Sequence, residues 1–161
     1  MATTPREFRL LFLCTGNSAR SQMAEAILND RGEGRFKAES AGSKPAARVN
    51  PLAIETLREH GIEWQGHPPR TVDGLERESW DFVITVCDKA KESCPIFPGQ
   101  PVLAHWAMPD PAETVGAEAA RRAFRDAYVL IARRIDLLLA LPIEKLDRLA
   151  LEAKLQAIGT G

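Results

Sequence analysis

Short apolar runs alternate along this chain with longer segments in which apolar residues recur every three or four positions. The apolar runs predict four β-strands, at residues 9–13, 36–41, 81–87 and 101–105. The periodic segments predict four helices, at residues 21–29, 50–60, 117–141 and 143–158. Alternating strands and helices are typical of an α/β fold. We therefore expect a doubly wound, four-stranded parallel sheet flanked by helices, with the last helix as an extra C-terminal element.

The length of 161 residues favours one domain built around one core, spanning residues 1–161. Asn50-Pro51 is a good helix start, and Pro142 separates the last two predicted helices. The core is expected at about residues 8–141 and a helical extension at about residues 142–158. The extension can cap the domain or form a dimer surface, and capping is favoured. Arginines expected on the solvated side of the third helix are Arg121, Arg122, Arg125, Arg133 and Arg134.

The overall charge indicates no nucleic-acid or membrane partner, because 21 basic and 22 acidic residues leave a net charge of −1. The N-terminus lacks the apolar segment of a targeting signal, and the longest apolar stretch, residues 135–141, is too short to span a membrane. We therefore expect a cytoplasmic protein. Three cysteines argue against a closed disulfide framework there. His60, His67 and His105 are scattered, so no metal site is expected.

The first predicted strand ends in a Cys-x5-Arg loop that leads into the first predicted helix. Backbone N–H groups at a helix N-terminus have no intrahelical partner and attract anions. Gly16 and Asn17 tolerate positive φ, which lets successive amides converge, and Arg20 offers a planar fork for two oxygens of a tetrahedral oxyanion. The residues expected to bind an oxyanion are Thr15, Gly16, Asn17, Ser18, Ala19, Arg20 and Ser21.

Cys14 opens this loop and is the candidate nucleophile. The loop amides and Arg20 are expected to lower the pKa of the Cys14 thiol, and Ser18 and Ser21 can donate hydrogen bonds to its sulfur. The alternative is a buried core cysteine beside an exposed arginine, since Cys-x5-Arg alone is a weak signal. A Walker-type nucleotide loop is excluded because no Gly-Lys-Ser or Gly-Lys-Thr follows.

The third predicted strand ends at Cys87 much as the first ends at Cys14. The carboxyl ends of parallel strands meet at one edge of a sheet, so both cysteines are expected there. Cys94 follows in a polar loop, just before Pro95. Taken singly, Cys87 fits a small buried hydrophobe and Cys94 an incidental surface thiol. Their common placement near Cys14 favours redox chemistry.

Residues 13–25 resemble the signature of arsenate reductases related to low-molecular-weight protein tyrosine phosphatases. The resemblance continues through residues 39–42, residues 49–51, the Cys87 segment and Asp110-Pro111, and covers about residues 8–140. It implies a low-molecular-weight phosphatase-like fold and a single catalytic domain.

The resemblance also implies a role for each conspicuous residue. In the family, the aspartate of the matching Asp-Pro protonates the departing oxygen, which implies that role for Asp110; otherwise Asp110 is a turn or helix-cap aspartate. Similarity to thioredoxin-coupled reductases implies a thiol relay. Cys14 attacks arsenic, Cys87 then attacks the Cys14 sulfur and releases arsenite, and Cys94 finally forms a disulfide with Cys87. The implied catalytic residues are Cys14, Arg20, Cys87, Cys94 and Asp110.

The implied enzyme has arsenate as its substrate, with phosphate or sulfate as competing oxyanions. It has no resident cofactor and needs an external thiol reductant. The resemblance suggests thioredoxin, with glutaredoxin and glutathione, or mycoredoxin and mycothiol, as alternatives. Some such reductases bind potassium near the loop, and Asn17 and Ser40 match two of those positions. Residues 67–70 lack the expected Thr and Asp, so we expect no potassium site and expect Asn17 to order the loop through backbone hydrogen bonds.

The main alternative is a low-molecular-weight protein tyrosine phosphatase that hydrolyses aryl phosphates with Cys14 and Asp110. Against it, residues 111–113 carry no aromatic side chain to stack on phosphotyrosine. Ser18-Ala19 also replaces the second loop cysteine that such phosphatases often have. A third interpretation is an oxyanion-binding or redox-sensing module without turnover.

Overall fold

The computed structural model describes residues 7–87 and 97–160. Within these residues the strands are β1 (Phe8–Cys14), β2 (Phe36–Gly42), β3 (Phe82–Thr85) and β4 (Val102–His105). The α-helices are α1 (Arg20–Arg31), α2 (Pro51–Glu59), α3 (Ala117–Leu139) and α4 (Arg148–Ile158). Short 3-10 turns lie at Leu75–Arg77, Pro111–Glu113 and Ile143–Lys145.

The four strands form one parallel sheet in the order β2-β1-β3-β4. This confirms the four-stranded parallel sheet predicted from the alternation of strands and helices. In the register, Cys14 lies opposite Gly42, and Leu13 lies opposite Thr85. The Cys-x5-Arg loop after β1 is therefore flanked by the ends of β2 and β3.

The core is built around β1, whose side chains from Leu10 to Cys14 are all buried. A strand buried on both faces is expected in a parallel sheet covered by helices. Helix α1 packs against β1 and β2 and also contacts α2 and α3. Phe12, Phe82 and Trp106 are almost completely buried in this core.

Side-chain caps decide where two of the helices begin. The predicted N-cap Asn50 accepts a hydrogen bond from the backbone N–H of Leu52, at 2.9 Å. The predicted start of the last helix at Ile143 is wrong, because Ile143–Lys145 forms a separate 3-10 turn. The α-helix starts only after Asp147, whose carboxylate accepts from the N–H of Ala150 at 2.8 Å.

The last helix, α4, lies along the edge strand β4, as the capping interpretation predicts. The side chains of Glu152 and Gln156 accept hydrogen bonds from the backbone N–H groups of Leu103 and His105. These bonds occupy backbone donors that an open sheet edge would leave exposed. The division into a catalytic core and an extension stays a prediction.

The solvated position expected for Arg134 is wrong. Its relative exposure is only 5%, whereas its neighbour Arg133 on α3 is exposed. Among the helices of residues 7–87 and 97–160, none combines the length and apolar composition needed to cross a membrane.

Candidate active site

The loop between β1 and α1 forms the floor of a cavity of about 360 Å³ at the carboxyl edge of the sheet. Most of the residues predicted for the site line it: Cys14, Thr15, Gly16, Ser18, Ala19, Arg20, Cys87 and Asp110. Met108 and Glu113, which the sequence did not single out, line it as well. Asn17 and Ser21 are fully buried and lie outside the cavity lining. They therefore support the loop from within the protein.

The Cys14 sulfur is buried and accepts hydrogen bonds from the loop and from the start of α1. The backbone N–H of Asn17 donates to it at 3.1 Å, and the Ser21 hydroxyl lies 2.8 Å away. Because Ser21 Oγ already accepts a hydrogen bond from Asn17 Nδ2 at 2.9 Å, its own hydrogen is available to the sulfur. The prediction that Ser21 donates to Cys14 is thus supported by geometry, whereas Ser18 has no such contact within the described residues.

Burial raises the pKa of the Cys14 thiol, because the thiolate charge is removed from water. The hydrogen bonds from Ser21 and Asn17 and the charge of Arg20 act in the opposite direction but do not outweigh it. The predicted lowering of this pKa is therefore wrong as a net direction. The loop contains the stabilising groups that the sequence indicated, but the depth of the sulfur was not visible from the sequence.

Asn17 holds the loop from below through its side chain. Its φ of 51° lies in the left-handed region, as predicted, whereas Gly16 does not use a positive φ. Its amide Nδ2 donates to Ser21 and to Ser40, each at 2.9 Å, and its Oδ1 accepts from the backbone N–H of Arg70 at 3.1 Å. Asn17 thus orders the loop through backbone hydrogen bonds, as predicted, and also through side-chain hydrogen bonds to Ser21 and Ser40, which were not predicted.

A second layer of buried and half-buried polar residues supports Asn17, and the sequence did not reveal it. The Ser40 hydroxyl donates to Glu25 Oε1 at 3.1 Å, and His67 Nε2 lies 2.9 Å from the same oxygen. Burial raises the pKa of Glu25, while His67, Ser40 and Arg70 oppose that shift. Gln22 Nε2 donates to the carbonyl oxygens of Asn17 and His67. The one indication in the sequence was that polar residues occupy some of the positions of α1 that face the core.

The end of β2 supports the loop from its other side. The backbone N–H of Lys44 donates to the Thr15 carbonyl oxygen at 2.9 Å. A Cβ atom at Gly42 would lie 2.4 Å from that same oxygen, closer than nonbonded atoms approach. Glycine at this position lets β2 pack directly against the loop.

Arg20 and Asp110 form an ion pair in the lining of the cavity. Arg20 Nη1 donates to the carbonyl oxygen of Met108 at 3.1 Å, and Nη2 lies 3.6 Å from Asp110 Oδ2. Asp110 Oδ1 accepts from the backbone N–H of Ala112 at 3.0 Å and so caps the 3-10 turn Pro111–Glu113. The two interpretations of Asp110 are compatible, since one oxygen caps the turn and the other faces the cavity.

Cys87 lies beside the loop, which confirms that the ends of β1 and β3 bring it to the same edge as Cys14. The backbone N–H of Val86 donates to the Leu13 carbonyl oxygen at 2.8 Å and aligns the two strand ends. Cys87 Sγ then lies 3.2 Å from Thr15 Oγ1. Cys94, predicted as the third thiol, lies outside the described residues.

Comparison with known proteins places this geometry in a family. The model of the family described as low molecular weight phosphotyrosine protein phosphatase matches residues 9–150. The chain belongs to this family. The family predicted from residues 13–25 is thus confirmed.

The sequence relatives of this family member include named arsenate reductases. The arsenate reductase of Bacillus subtilis is 36% identical over 115 residues, which are 71% of this chain and 82% of that protein. The arsenate reductase of Halalkalibacterium halodurans is 36% identical over 127 residues, which are 78% of this chain and 91% of that protein.

Solved structures of both reductases and phosphatases share the fold. An arsenate reductase in a phosphate-binding state matches with a TM-score of 0.67 at 28% identity, covering 83% of this chain and 97% of that chain. A thioredoxin-dependent arsenate reductase from Corynebacterium glutamicum matches with a TM-score of 0.66 at 28% identity, covering 86% of this chain and 62% of that chain. A low-molecular-weight protein tyrosine phosphatase from T. tengcongensis matches with a TM-score of 0.70 at 25% identity, covering 86% and 99%. The choice between the two activities therefore depends on the site.

Proposed function

We propose that this family member is an arsenate reductase in which Cys14 is the nucleophile and Cys87 the first resolving thiol. The observation that carries the proposal is the position of Cys87, which lines the same cavity as Cys14 and whose sulfur lies 3.2 Å from Thr15 Oγ1. Hydrolysis of a phosphate ester needs one nucleophilic sulfur at this site. A second sulfur at the edge of the cavity is what a thiol relay requires. The reductase relatives support the same choice.

In the first step, arsenate occupies the cavity, and the loop amides and Arg20 bind its oxygens. The Cys14 thiol, whose pKa is raised by burial, passes its proton to an arsenate oxygen and attacks arsenic. A sulfur–arsenic bond forms and an arsenic–oxygen bond breaks. Asp110, facing the cavity beside Arg20, protonates the departing oxygen, which leaves as water.

In the second step, the Cys87 thiolate attacks the Cys14 sulfur. A disulfide forms, and the sulfur–arsenic bond breaks with its electron pair remaining on arsenic, so As(V) becomes As(III) and arsenite departs. Cys94 then attacks Cys87, which regenerates Cys14 and leaves a Cys87–Cys94 disulfide. This last role rests on the family resemblance alone.

An external dithiol must reduce that disulfide, and no resident cofactor takes part. The named thioredoxin dependence of one structural relative supports thioredoxin as the donor. We propose a cytoplasmic location, where thiols are kept reduced between turnovers.

Phosphatase activity is the second candidate, because Cys14 and Asp110 alone suffice for it and a phosphatase shares the fold. The residues that line the described cavity include no aromatic side chain to stack on an aryl group. We therefore expect slow aryl phosphate hydrolysis as a side activity.

A coupled assay tests the proposal. Arsenate-dependent oxidation of NADPH is measured with thioredoxin and thioredoxin reductase, for the wild type and for Cys87→Ser and Cys94→Ser. The wild type is expected to turn over repeatedly and both variants to stop. Aryl phosphate hydrolysis serves as the matched control, because it needs Cys14 and Asp110 but neither Cys87 nor Cys94, and it should survive in both variants. Full turnover in both variants would refute the relay.

A further inference from the structure

The segment between β4 and the 3-10 turn Pro111–Glu113, residues 106–110, is anchored mainly at points outside the Cys-x5-Arg loop, residues 14–20, which we call the oxyanion loop. We call residues 106–110 the acid loop. The Trp106 indole N–H, almost completely buried, donates to the carbonyl oxygen of Leu155 in α4 at 2.9 Å. The only anchor from the oxyanion loop among the described contacts is Arg20, which binds the Met108 carbonyl.

A buried arginine makes a second connection between the acid loop and α4. Arg134 Nη1 donates to the Ala107 carbonyl oxygen at 3.0 Å, and Nη2 donates to the Gly159 carbonyl oxygen at 3.1 Å. One guanidinium thus joins the acid loop, three residues before Asp110, to the end of the last helix.

This arginine is unusual for a structural residue. It is 5% exposed, its Nε has no hydrogen-bond partner within the described residues, and burial lowers its pKa. A cation held by neutral carbonyls carries a desolvation cost that no carboxylate offsets among the described contacts. Stability alone therefore does not account for Arg134.

The end of α4 also touches the start of the acid loop directly. A Cβ atom at Gly159 would lie 2.5 Å from the His105 carbonyl oxygen and 2.6 Å from Trp106 Cδ1. The helix terminus and the loop are therefore in tight contact. The family match ends at residue 150, within the first turn of α4, which begins at Arg148. Most of this contact surface therefore lies beyond the matched segment.

We propose that Arg134 and the end of α4 form a clamp that positions the acid loop, and through it Asp110, over the oxyanion site. The inference rests on the proposed role of Asp110 as proton donor. Arg134 is a positioning residue, since it acts through the Ala107 carbonyl and touches no substrate. A general acid must lie within hydrogen-bond reach of the oxygen it protonates, and a misplacement of about 1 Å can cost about a hundredfold in rate.

The test compares Arg134→Met with Arg133→Met, a matched control that removes the adjacent but exposed charge from the same helix. Arg134→Met is expected to lower kcat for arsenate reduction by about tenfold to a hundredfold, with a much smaller change in KM. Arg133→Met is expected to retain wild-type kcat. Arg134→Lys, which keeps the charge but has a single donor nitrogen, should recover part of the rate.

A double-mutant cycle separates positioning from a general structural effect. If Arg134 acts through Asp110, Arg134→Met should lower kcat by less than about twofold in an Asp110→Asn background. An equal loss of kcat in both backgrounds would overturn the proposal.

Hydrogen exchange of the peptide covering residues 105–113 gives a readout that does not need activity. Faster exchange there in Arg134→Met, but not in Arg133→Met, supports the clamp, and unchanged exchange overturns it. If the wild type fails to reduce arsenate, the proposed function falls, while the exchange comparison still decides whether the clamp holds the loop.

Discussion

The hydrogen bond from Ser21 to the Cys14 sulfur gives the sharpest quantitative prediction. The two atoms are 2.8 Å apart, both residues are buried, and Asn17 Nδ2 orients the hydroxyl by donating to its oxygen. Ser21→Ala removes the donor without adding bulk. A hydrogen bond to a charged group contributes about 1.5–3 kcal/mol. Since about 1.36 kcal/mol corresponds to a tenfold change, the variant should hold about tenfold to a hundredfold less thiolate at a given pH.

The assay is the rate of alkylation of Cys14 by iodoacetamide over a pH series, in a Cys87→Ser, Cys94→Ser background where one thiol remains. Because burial raises the pKa of Cys14, the wild-type rate should climb on the alkaline side of the ordinary cysteine range. Ser21→Ala should shift this climb to still higher pH. At each pH, the factor by which Ser21→Ala lowers the thiolate fraction of Cys14 should equal the factor by which it lowers kcat/KM for arsenate.

Ser18→Ala is the matched control, because Ser18 lines the cavity and has no hydrogen bond to Cys14 within the described residues. It should leave the alkylation profile unchanged. If both alanine variants shift the profile equally, or if Ser21→Ala leaves it in place, the argument from the Ser21 hydroxyl is wrong.

Three further predictions follow from other contacts. Arg20→Lys loses the planar fork, so the KM for arsenate should rise about tenfold or more, and an unchanged KM would contradict the proposed binding role. Burial raises the pKa of Glu39, but hydrogen bonds from two arginines outweigh it, so the pKa is lowered. The stability that Glu39 contributes is therefore present above the ordinary glutamate pKa and is lost as pH falls through the lowered pKa. The difference in unfolding free energy between wild type and Glu39→Gln should shrink as the pH falls, and a constant difference would refute this. Leu11→Ala, fully buried, should cost about 2–5 kcal/mol in urea unfolding, whereas Leu149→Ala, 75% exposed, should stay within about 0.5 kcal/mol; equal losses would contradict the core assignment.

The sheet and the placement of Cys87 were predictable because both depend on local patterns. Each strand is a short apolar run, and parallel strands must end at one edge, so the topology brings Cys87 beside the loop. The N-cap Asn50 could also be predicted from the sequence, since its hydrogen-bond partner is two residues away. The start of α4 was misplaced because Asp147 forms a side-chain cap that competes with the apolar pattern from Ile143 onward.

The supporting layer of the site was not predictable, because its contacts join residues far apart in the chain. Ser40 meets Asn17 across 23 positions, and His67 meets Glu25 across 42. The pKa of Cys14 was misjudged for a related reason, since burial depends on the whole fold. Arg134 was assigned to the solvated side of α3 because it was grouped with the other arginines of that helix, which are exposed, although the end of α4 covers it.

A single-turnover experiment with Cys94→Ser tests the relay most directly. The reduced variant is mixed with excess arsenate and no external reductant, and arsenite and disulfides are counted. We expect one arsenite per protein and a trapped Cys14–Cys87 disulfide by mass spectrometry, and no arsenite from Cys87→Ser. Stoichiometric arsenite from Cys87→Ser would contradict the assignment of Cys87 as the thiol that resolves the arsenic adduct.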